Sequence, residues 1–264
     1  MSEPILSVRN LTKRFGGLTA VNAVNCEIRA GEVVALLGDN GAGKSTLIKC
    51  VSGVHSADSG DIIFEGKTVR FSTPIDARDG GIETIYQDLA LAQNLDVPAN
   101  IFLGRETRRR HLWGLFHTLD DRAMQDASAA SLARLGMEFP SLTRPIDTLS
   151  GGQRQAVAIA RALYWNARLM IMDEPTNNLG VPEQRKVLEL IGTLKAAQVP
   201  VILITHTLPD VFAIADRVIV MHRGRKVADK RTDQTNTTEL VEYMVGALDD
   251  FPEQETAGAA QTQA

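Results

Sequence analysis

The chain has 264 residues, of which 44% are hydrophobic, so it is long and apolar enough to bury one large α/β core. Its 28 basic and 32 acidic residues leave a net charge of −4, without the basic excess of proteins that hold nucleic-acid phosphates, so no nucleic acid is expected as a partner. The two cysteines, Cys26 and Cys50, are too few for a disulfide framework and predict a cytoplasmic protein.

The N-terminal part of the chain predicts a small antiparallel β-layer. Ile5–Val8 and Val21–Ile28 have the composition of extended segments, and the turn-forming pair Gly16-Gly17 lies between them.

Buried strands and helices alternate in the rest of the chain. The short apolar runs Val33–Leu37, Arg168–Met172 and Val199–Thr205 are bounded by glycine, proline or charged residues, as is typical of parallel strands covered on both faces. Ala156–Leu163 and Val187–Leu194 carry apolar residues at helical spacing. This alternation predicts an α/β sheet.

None of these apolar runs reaches the roughly 20 residues that a membrane-spanning helix needs. The N-terminus also lacks the basic start and apolar stretch of a secretory signal. If the protein works at a membrane, we expect a partner to place it there.

Residues 96–135 lack a convincing core strand and predict a helical insertion, with a helix over Asp120–Leu135 opened by two aspartates. The basic run Arg108–His111 could bind lipid headgroups or an acidic partner, or it could be a solvated loop. Trp113 and Phe116 beside it could cover a coupling surface or pack the insertion. Residues 247–264 are rich in Ala, Gln, Thr and Glu and predict a disordered tail.

A phosphate-binding loop is the strongest functional signal. Gly38–Thr46 fits the pattern G-x-x-x-x-G-K-[ST] and lies between the strand Val33–Leu37 and a helical segment. Its backbone N–H groups can point at phosphate oxygens, Lys44 can reach the β and γ phosphates, and Ser45 can bind Mg²⁺. The alternative is a glycine-rich turn that binds nothing.

An acidic pair follows the strand at 169–172. Asp173 can hold Mg²⁺, and Glu174 can polarise an attacking water at the end of the sheet where ligands bind. Taken alone, such a pair is more often a helix cap or a solvated turn.

Leu149–Gln153 forms a further glycine-containing segment before a helix. Ser150 is in a capping position, and the glycines Gly151 and Gly152 leave the backbone open, so the helix start could receive an anion. The alternative is an ordinary capped helix.

With the phosphate loop, the Leu149–Gln153 segment, Met172-Asp173-Glu174 and Thr205-His206 in this order, the chain resembles the nucleotide-binding subunit of an ABC transporter over about residues 5–246. The resemblance implies a P-loop NTPase (RecA-like) core with an N-terminal antiparallel β-layer and a helical subdomain. It implies one nucleotide-binding domain over 1–246, with the helical subdomain inserted at about 88–162.

The resemblance also implies roles that the residues alone do not establish. Phe15 would stack on adenine, although it could instead pack the β-layer. Gln87 would sense Mg²⁺ and the γ-phosphate, and His206 would contact the γ-phosphate, although a loop glutamine is usually solvated and a lone histidine is usually structural.

The predicted site contains three overlapping groups of residues. The nucleotide-binding group is Phe15, Gly38, Asp39, Asn40, Gly41, Ala42, Gly43, Lys44, Ser45, Thr46, Ser150, Gly151, Gly152 and Gln153. The catalytic group is Lys44, Gln87, Glu174 and His206. The magnesium group is Ser45, Gln87 and Asp173.

The family arrangement implies ATP and Mg²⁺ as ligands and a head-to-tail homodimer, in which Ser150 and Gly152 contact the γ-phosphate held by the other subunit. It further implies a peripheral subunit at the cytoplasmic face of the inner membrane, bound to an integral membrane permease and indirectly served by a periplasmic sugar-binding protein. One departure concerns the D-loop, where Asn177–Gly180 replaces the usual Ser-Ala-Leu-Asp. The glycine at 180 puts communication between the two ATP sites in question.

Ile85–Leu91 and Asn100–Glu106 look like the ATPases of ribose, xylose and fructose importers, the second carbohydrate-uptake class. Most members of that class carry two fused domains, and the single domain here with Asn177–Gly180 is similar to the fructose-importer ATPase. We therefore expect import of a monosaccharide.

Two other functions are alternatives to sugar import. A soluble ABC ATPase acting on DNA or ribosomes should bring a coiled-coil insertion, a second cassette or a basic patch, and the sequence shows none of these. An ATP-binding regulator without turnover would lose the water-polarising carboxylate, which Glu174 supplies.

Overall fold

The computed structural model describes residues 3–111 and 116–251 of the chain. The strands are β1 (Leu6–Phe15), β2 (Leu18–Ile28), β3 (Val33–Leu37), β4 (Ser59–Phe64), β5 (Lys67–Val69), β6 (Ile82–Ile85), β7 (Arg108–His111), β8 (Phe116–Leu119), β9 (Leu169–Asp173), β10 (Val201–Ile204), β11 (Arg217–His222) and β12 (Arg225–Arg231). The α-helices are α1 (Lys44–Val51), α2 (Pro74–Asp79), α3 (Val97–Ile101), α4 (Asp121–Arg134), α5 (Gly151–Tyr164), α6 (Val181–Ala196), α7 (Leu208–Ile214) and α8 (Thr237–Val245).

The predicted antiparallel β-layer is confirmed and is larger than the sequence indicated. β1 and β2 pair antiparallel, with Leu6 opposite Ile28 and Phe15 opposite Leu18. The sheet continues with β4 and β5 in the order β2-β1-β4-β5. The strands β4 and β5 were not among the predicted elements.

The central sheet has six strands in the order β12-β11-β3-β10-β9-β6. β11, β3, β10, β9 and β6 run parallel, and β12 adds an antiparallel edge. The three predicted core strands are confirmed as β3, β9 and β10, which are neighbours in this sheet. The α/β fold class is therefore confirmed.

Two hydrophobic clusters lie on opposite faces of the central sheet. In β3, Ala35 and Leu37 belong to the cluster under α5 and α6, whereas Val34 and Leu36 belong to the cluster shared with α1 and the β-layer. All five β3 side chains are buried, because alternate residues of a strand point to opposite faces and both faces are covered. This explains the continuous apolar runs in the sequence.

The region between β6 and β9 contains α3, the hairpin β7-β8, α4 and α5. The predicted helix at Asp120–Leu135 is confirmed as α4, and the Asp120 carboxylate accepts a hydrogen bond from the Ala123 N–H at 3.2 Å. The run Arg108–His111 forms the strand β7, which pairs with β8, rather than a loop, although Arg108 and Arg109 are exposed to solvent. Its binding to lipid or to an acidic partner stays a prediction. The suggested roles of the Trp113 and Phe116 side chains lie outside the described part of the structure.

The boundaries 1–246 and 88–162 stay predictions. Residues beyond α8 make contacts as far as Phe251. The Asp250 carboxylate accepts a hydrogen bond from the Tyr243 hydroxyl at 2.6 Å and pairs with Lys230 at 2.8 Å. The predicted disordered tail at 247–264 therefore begins with a segment that packs on α8 and β12, and residues 252–264 lie outside the described structure.

Within the described ranges, no helix is both long and apolar enough to cross a bilayer.

Candidate active site

The phosphate loop leaves the carboxyl end of β3 and enters α1. Gly38 has φ +147°, and a Cβ atom there would lie 2.3 Å from the Met221 carbonyl oxygen. Gly43 has φ +101°, and its Cβ would lie 2.4 Å from the Ala20 carbonyl oxygen. Both positions therefore need glycine for the backbone angle and for the close approach of neighbouring backbone.

The N-terminus of α1 differs from those of α2, α3, α4, α5 and α8, each of which has a side-chain cap. Gly43 supplies no side-chain cap, and the first turn of α1 carries no acidic residue. N–H groups at a helix start carry positive potential and bind anions. This geometry fits a phosphate group.

Lys44 is held inside the loop. Its ammonium group donates hydrogen bonds to the Gly38 carbonyl at 2.7 Å and to the Asp39 carbonyl at 3.0 Å. Burial lowers the pKa of Lys44, against the opposing charges of Glu174, Asp39 and Asp173. The loop thus holds a partly desolvated cation beside the predicted carboxylates, ready to bind a more strongly charged anion.

The acidic pair lies at the carboxyl end of β9. Burial and the neighbouring charge of Glu174 raise the pKa of Asp173, and Lys44 and Lys49 oppose this shift. Glu174 has φ +50°, the left-handed region that a residue with a side chain rarely adopts. Its N–H donates to the Ile204 carbonyl of β10 at 2.9 Å, which ties the bend to the neighbouring strand.

His206 contacts Glu174 directly. The His206 Nδ1 and Glu174 Oε1 atoms are 2.8 Å apart, and the histidine side chain is 65% exposed while the glutamate is 18% exposed. The contact arises because β9 and β10 are adjacent and parallel, with Ile204 opposite Asp173. The structure therefore joins two predicted catalytic residues that are far apart in sequence.

Gln87 follows β6 and lines a cavity of about 200 Å³ together with Glu174 and Gly151. Its side chain is exposed. The same cavity therefore brings together the loop after β6, the acidic end of β9 and the start of α5. The role of Gln87 toward magnesium or phosphate stays a prediction.

Ser150 caps α5. Its hydroxyl accepts a hydrogen bond from the Gln153 N–H at 3.3 Å, and the Gln153 side-chain oxygen accepts one from the Ser150 N–H at 3.0 Å. This is a reciprocal capping box. The predicted alternative of a capped helix is therefore confirmed. The contact of Ser150 with a nucleotide bound by a second subunit stays a prediction.

The D-loop lies against the start of α5. A Cβ atom at Gly151 would lie 2.3 Å from Leu179 Cδ2, whereas one at Gly152 would have its nearest contacts at 3.8 Å with Glu183. Gly180 is the N-cap residue of α6 and forms no side-chain cap. Gly180, which departs from the usual D-loop sequence, therefore lies at the start of α6. This helix start contacts the signature segment, Leu149–Gln153.

Phe15 lies at the end of β1 with 45% of its surface exposed. Its ring makes an edge contact with His55 at a centroid distance of 5.3 Å, and the Lys13 ammonium lies 5.4 Å from the ring centroid. The ring is therefore partly exposed, which leaves surface for stacking of a base and excludes a fully buried packing role.

The magnesium ligands fit a site that a nucleotide helps to complete. No group of three or more His, Cys, Asp and Glu side chains in the described ranges could hold a metal ion by itself. Ser45 is exposed at the start of α1, and Asp173 carries an acidic group beside a second carboxylate. A divalent cation would relieve the repulsion between these two carboxylates, so the residues present fit Mg²⁺.

The sequence profile of the ABC transporter family matches residues 21–177 of the chain. The chain belongs to this family. The xylose/arabinose import ATP-binding protein of Sulfolobus acidocaldarius is 48% identical over 91% of this chain and 93% of the relative. The fructose import ATP-binding protein of Rhizobium meliloti is 44% identical over 93% of this chain and 95% of the relative. A ribose import ATP-binding protein of Streptomyces coelicolor is 41% identical over 96% of this chain, which spans 50% of that longer relative.

Solved structures agree with this assignment. An ATP-binding cassette of an ABC transporter in its ADP conformation has a TM-score of 0.76 and 27% identity, covering 92% of this chain and 96% of the solved chain. A cassette from Clostridium perfringens that is part of an ABC transporter complex has a TM-score of 0.75 and 27% identity, covering 92% and 93% of the two chains. The predicted family and the P-loop NTPase fold are confirmed.

Sequence reasoning missed three residues around the site. His55 contacts the Phe15 ring, Arg161 binds the loop after β6, and the buried residue Gln155 lines the cavity that Gln87 also lines. Motif spacing offered no signal for His55, because its partner is 40 residues away. The sequence signal for Arg161 was that a charged residue occurs within the apolar pattern of helix α5.

Proposed function

We propose that the chain is the ATP-hydrolysing subunit of an ABC importer that energises uptake of a monosaccharide, in the range of fructose, xylose and ribose. The contact between Glu174 and His206 beside the phosphate loop carries the catalytic part of this proposal. The import part is supported by the xylose/arabinose, fructose and ribose import proteins that the chain matches.

The phosphate loop binds the triphosphate of ATP. The uncapped N-terminus of α1 offers backbone N–H groups, and Lys44 exchanges its carbonyl partners for β- and γ-phosphate oxygens. Asp39–Thr46 thus supply mainly backbone donors and one cation, while the exposed Phe15 ring takes the adenine. Ser45 and Asp173 would hold Mg²⁺, with Gln87 as a further ligand, and the ion would supply positive charge beside the phosphate oxygens.

Glu174 orients and polarises the attacking water. Its carboxylate is partly shielded from solvent, and its charge is directed by the Nδ1 group of His206. His206 is exposed enough to turn toward the γ-phosphate once a nucleotide is bound. Its contact with Glu174 places the histidine where it can report on the state of the nucleotide.

Two subunits assemble head to tail. Ser150 and Gly152 of one subunit then contact the γ-phosphate bound by the phosphate loop of the other, so hydrolysis removes a group that holds the interface together. The capping box keeps the Ser150 backbone fixed while its hydroxyl remains at the exposed helix start. Gly180 removes a carboxylate from this interface and weakens coupling between the two ATP sites.

The subunit binds the cytoplasmic side of an integral membrane permease in the cell membrane. A periplasmic binding protein and the permease select the sugar, because the sugar does not contact the ATPase.

Reconstitution tests this function. The chain is combined with a co-purifying permease in vesicles, and uptake of labelled xylose, fructose and ribose is compared with phosphate release when ATP is supplied on the ATPase side. We expect ATP-dependent uptake of one of these sugars, abolished by Lys44→Ala because this change lowers ATP affinity about 100-fold. Steady hydrolysis without a co-purifying membrane protein would instead indicate a non-transport ABC ATPase, and binding without phosphate release would indicate a regulator.

A further inference from the structure

The loop after β6 carries Gln87, and its far end adopts an unfavourable backbone. Leu89 has φ +58° and Ala90 has φ +45°, although neither is glycine. Consecutive left-handed residues with side chains persist only where surrounding contacts hold them. This segment, residues 86–91, is called the Gln87 loop.

Arg161 supplies these contacts from helix α5. One guanidinium nitrogen, Nη1, donates a hydrogen bond to the Ala90 carbonyl at 3.0 Å, and the other, Nη2, donates to the Leu89 carbonyl at 3.3 Å. The planar fork of arginine can bind two adjacent carbonyl groups at once, which a lysine ammonium does less well. The two left-handed residues are thus the two that Arg161 binds.

The charge of Arg161 is compensated from the strand that precedes the loop. Glu83 in β6 is half-buried, and burial raises its pKa while Arg161 is the foremost opposing charge. Burial also lowers the pKa of Arg161, with Glu83 opposing this shift. Arg161 therefore binds the carbonyl groups of the loop and also interacts electrostatically with a carboxylate of the preceding strand.

Helix α5 begins with the signature residues and carries Arg161 near its C-terminal end. Near its start, Gln155 is 2% exposed and lines the cavity shared with Gln87 and Glu174. The Gln155 Nε2 donor has no hydrogen-bond partner among the described residues. Helix α5 therefore binds the far end of the Gln87 loop through Arg161, and its residue Gln155 lines the cavity that Gln87 also lines.

We propose that Arg161 is a positioning residue that ties the Gln87 loop to helix α5, so that Gln87 and the signature segment at Ser150 move as one unit. The proposal rests on the proposed function for the role of Gln87 in hydrolysis. The contacts of Arg161 are to the loop backbone, and Arg161 is not among the residues predicted to bind nucleotide or metal. It acts by holding Leu89 and Ala90, two and three residues after Gln87, in their left-handed conformation.

The test uses the full chain with Arg161→Gln combined with Glu83→Gln, so that no buried carboxylate is left without its partner. Arg161→Lys is the conservative variant, Glu83→Gln alone keeps both carbonyl bonds, and Arg134→Gln in the exposed last turn of α4 is the matched control. Amide hydrogen exchange of a peptide covering 86–92 and steady-state ATPase kinetics are measured for each variant.

For Arg161→Gln/Glu83→Gln we expect exchange in the 86–92 peptide to rise about tenfold or more, because two charge-assisted hydrogen bonds are lost. We expect kcat to fall about tenfold with KM changed less than about threefold, since the phosphate loop is intact. Arg161→Lys should recover part of both effects. Arg134→Gln and Glu83→Gln alone should stay within about twofold of the wild-type kcat.

Epistasis with Gln87→Ala separates positioning from a general structural role. If Arg161 acts through Gln87, adding Arg161→Gln/Glu83→Gln to Gln87→Ala should lower kcat by less than about twofold further. Full additivity, or unchanged exchange at 86–92, would overturn the proposal. A wild-type kcat for Gln87→Ala alone would refute the role proposed for Gln87 in hydrolysis, and the exchange result would still decide whether Arg161 holds the loop.

Discussion

At the scale of single residues, Glu174 combines an unusual backbone with a specific side-chain partner. Its left-handed φ of +50° and its N–H bond to Ile204 turn the chain immediately after β9. The turn directs the carboxylate toward His206 rather than along the sheet. A strained residue at the end of a buried strand is a feature that concentrates at functional sites.

Glu174→Gln should keep ATP binding and lose turnover. The amide has the size of the carboxylate but cannot act as a base, so we expect kcat to fall about 10²- to 10⁴-fold while the affinity for ATP changes little. Nucleotide titration and steady-state phosphate release measure the two effects. Undiminished hydrolysis by this variant would show that another group polarises the water.

Asp173 should make the nucleotide-free protein less stable as the pH rises. Burial and Glu174 raise its pKa above the ordinary 3.8, so the folded state binds the proton more tightly than the unfolded chain does. The free energy of unfolding therefore falls as the pH rises from the ordinary value through the raised one, and the whole penalty is present above it.

Asp173→Asn removes this penalty. We expect its Tm at neutral pH, without nucleotide or Mg²⁺, to exceed that of the wild type by about 1–4 °C. The difference should shrink as the pH is lowered toward 4, because the raised pKa lets the folded wild-type protein take up the proton that removes the charge. Thermal unfolding at both pH values measures this, and an equal difference at both would assign the effect to something other than the charge of Asp173.

At the scale of elements, helix α5 has two functions that meet at its first turn. The capping box of Ser150 and Gln153 stabilises the helix start, and the same hydroxyl is the group proposed to contact a second subunit's phosphate. Stability and activity should therefore respond differently to substitutions that keep or remove the cap.

Ser150→Ala should lower the free energy of unfolding by about 1 kcal/mol, because an orphaned helix N–H loses its acceptor. Ser150→Asp keeps a capping oxygen and should stay close to wild-type stability, yet its negative charge should repel the phosphate and lower kcat by at least tenfold. Chemical denaturation and ATPase assays on both variants give the comparison. Wild-type hydrolysis by Ser150→Asp would exclude a phosphate contact at this position.

At the scale of the whole molecule, the structure indicates where a second subunit can be cross-linked. A side chain at Gly151 would collide with Leu179, whereas one at Gly152 has ordinary contacts, so Gly152 is the better position for a cysteine. Burial raises the pKa of the Cys26 thiol to about 12 and that of Cys50 to about 11. Both native thiols are therefore protonated and slow to react near pH 8.

Ser45→Cys combined with Gly152→Cys should form a disulfide between two subunits when a non-hydrolysable ATP analogue is present. The head-to-tail arrangement brings the phosphate loop of one subunit to the signature of the other, so we expect a covalent dimer on non-reducing gels. The wild-type chain, with its buried thiols, is the control. Dimer that forms equally without nucleotide, or bonds formed only within one chain, would contradict the sandwich arrangement.

Local sequence was sufficient for the phosphate loop, for the strands β3, β9 and β10, and for the helices α4 and α5. A glycine that the backbone angle requires, or an apolar run that is buried on both faces, is visible in a few neighbouring residues. Such features can be recognised without knowing which distant residues they contact. The strands β4 and β5 were not predicted from the sequence, because they are short and most of their residues are exposed or half-buried. Their place in the β-layer depends on pairing with β1.

Contacts between distant residues were decided by the tertiary structure. The order of strands in the central sheet brings His206 against Glu174, and the packing of α5 on the loop after β6 brings Arg161 to Leu89 and Ala90. The residues next to His206 and Arg161 in the sequence do not indicate these contacts. The contacts depend on which strand or helix lies beside each of the two residues. The motifs indicate candidate reacting groups, because each motif is a short run of neighbouring residues, whereas the partners that orient these groups are set by the fold.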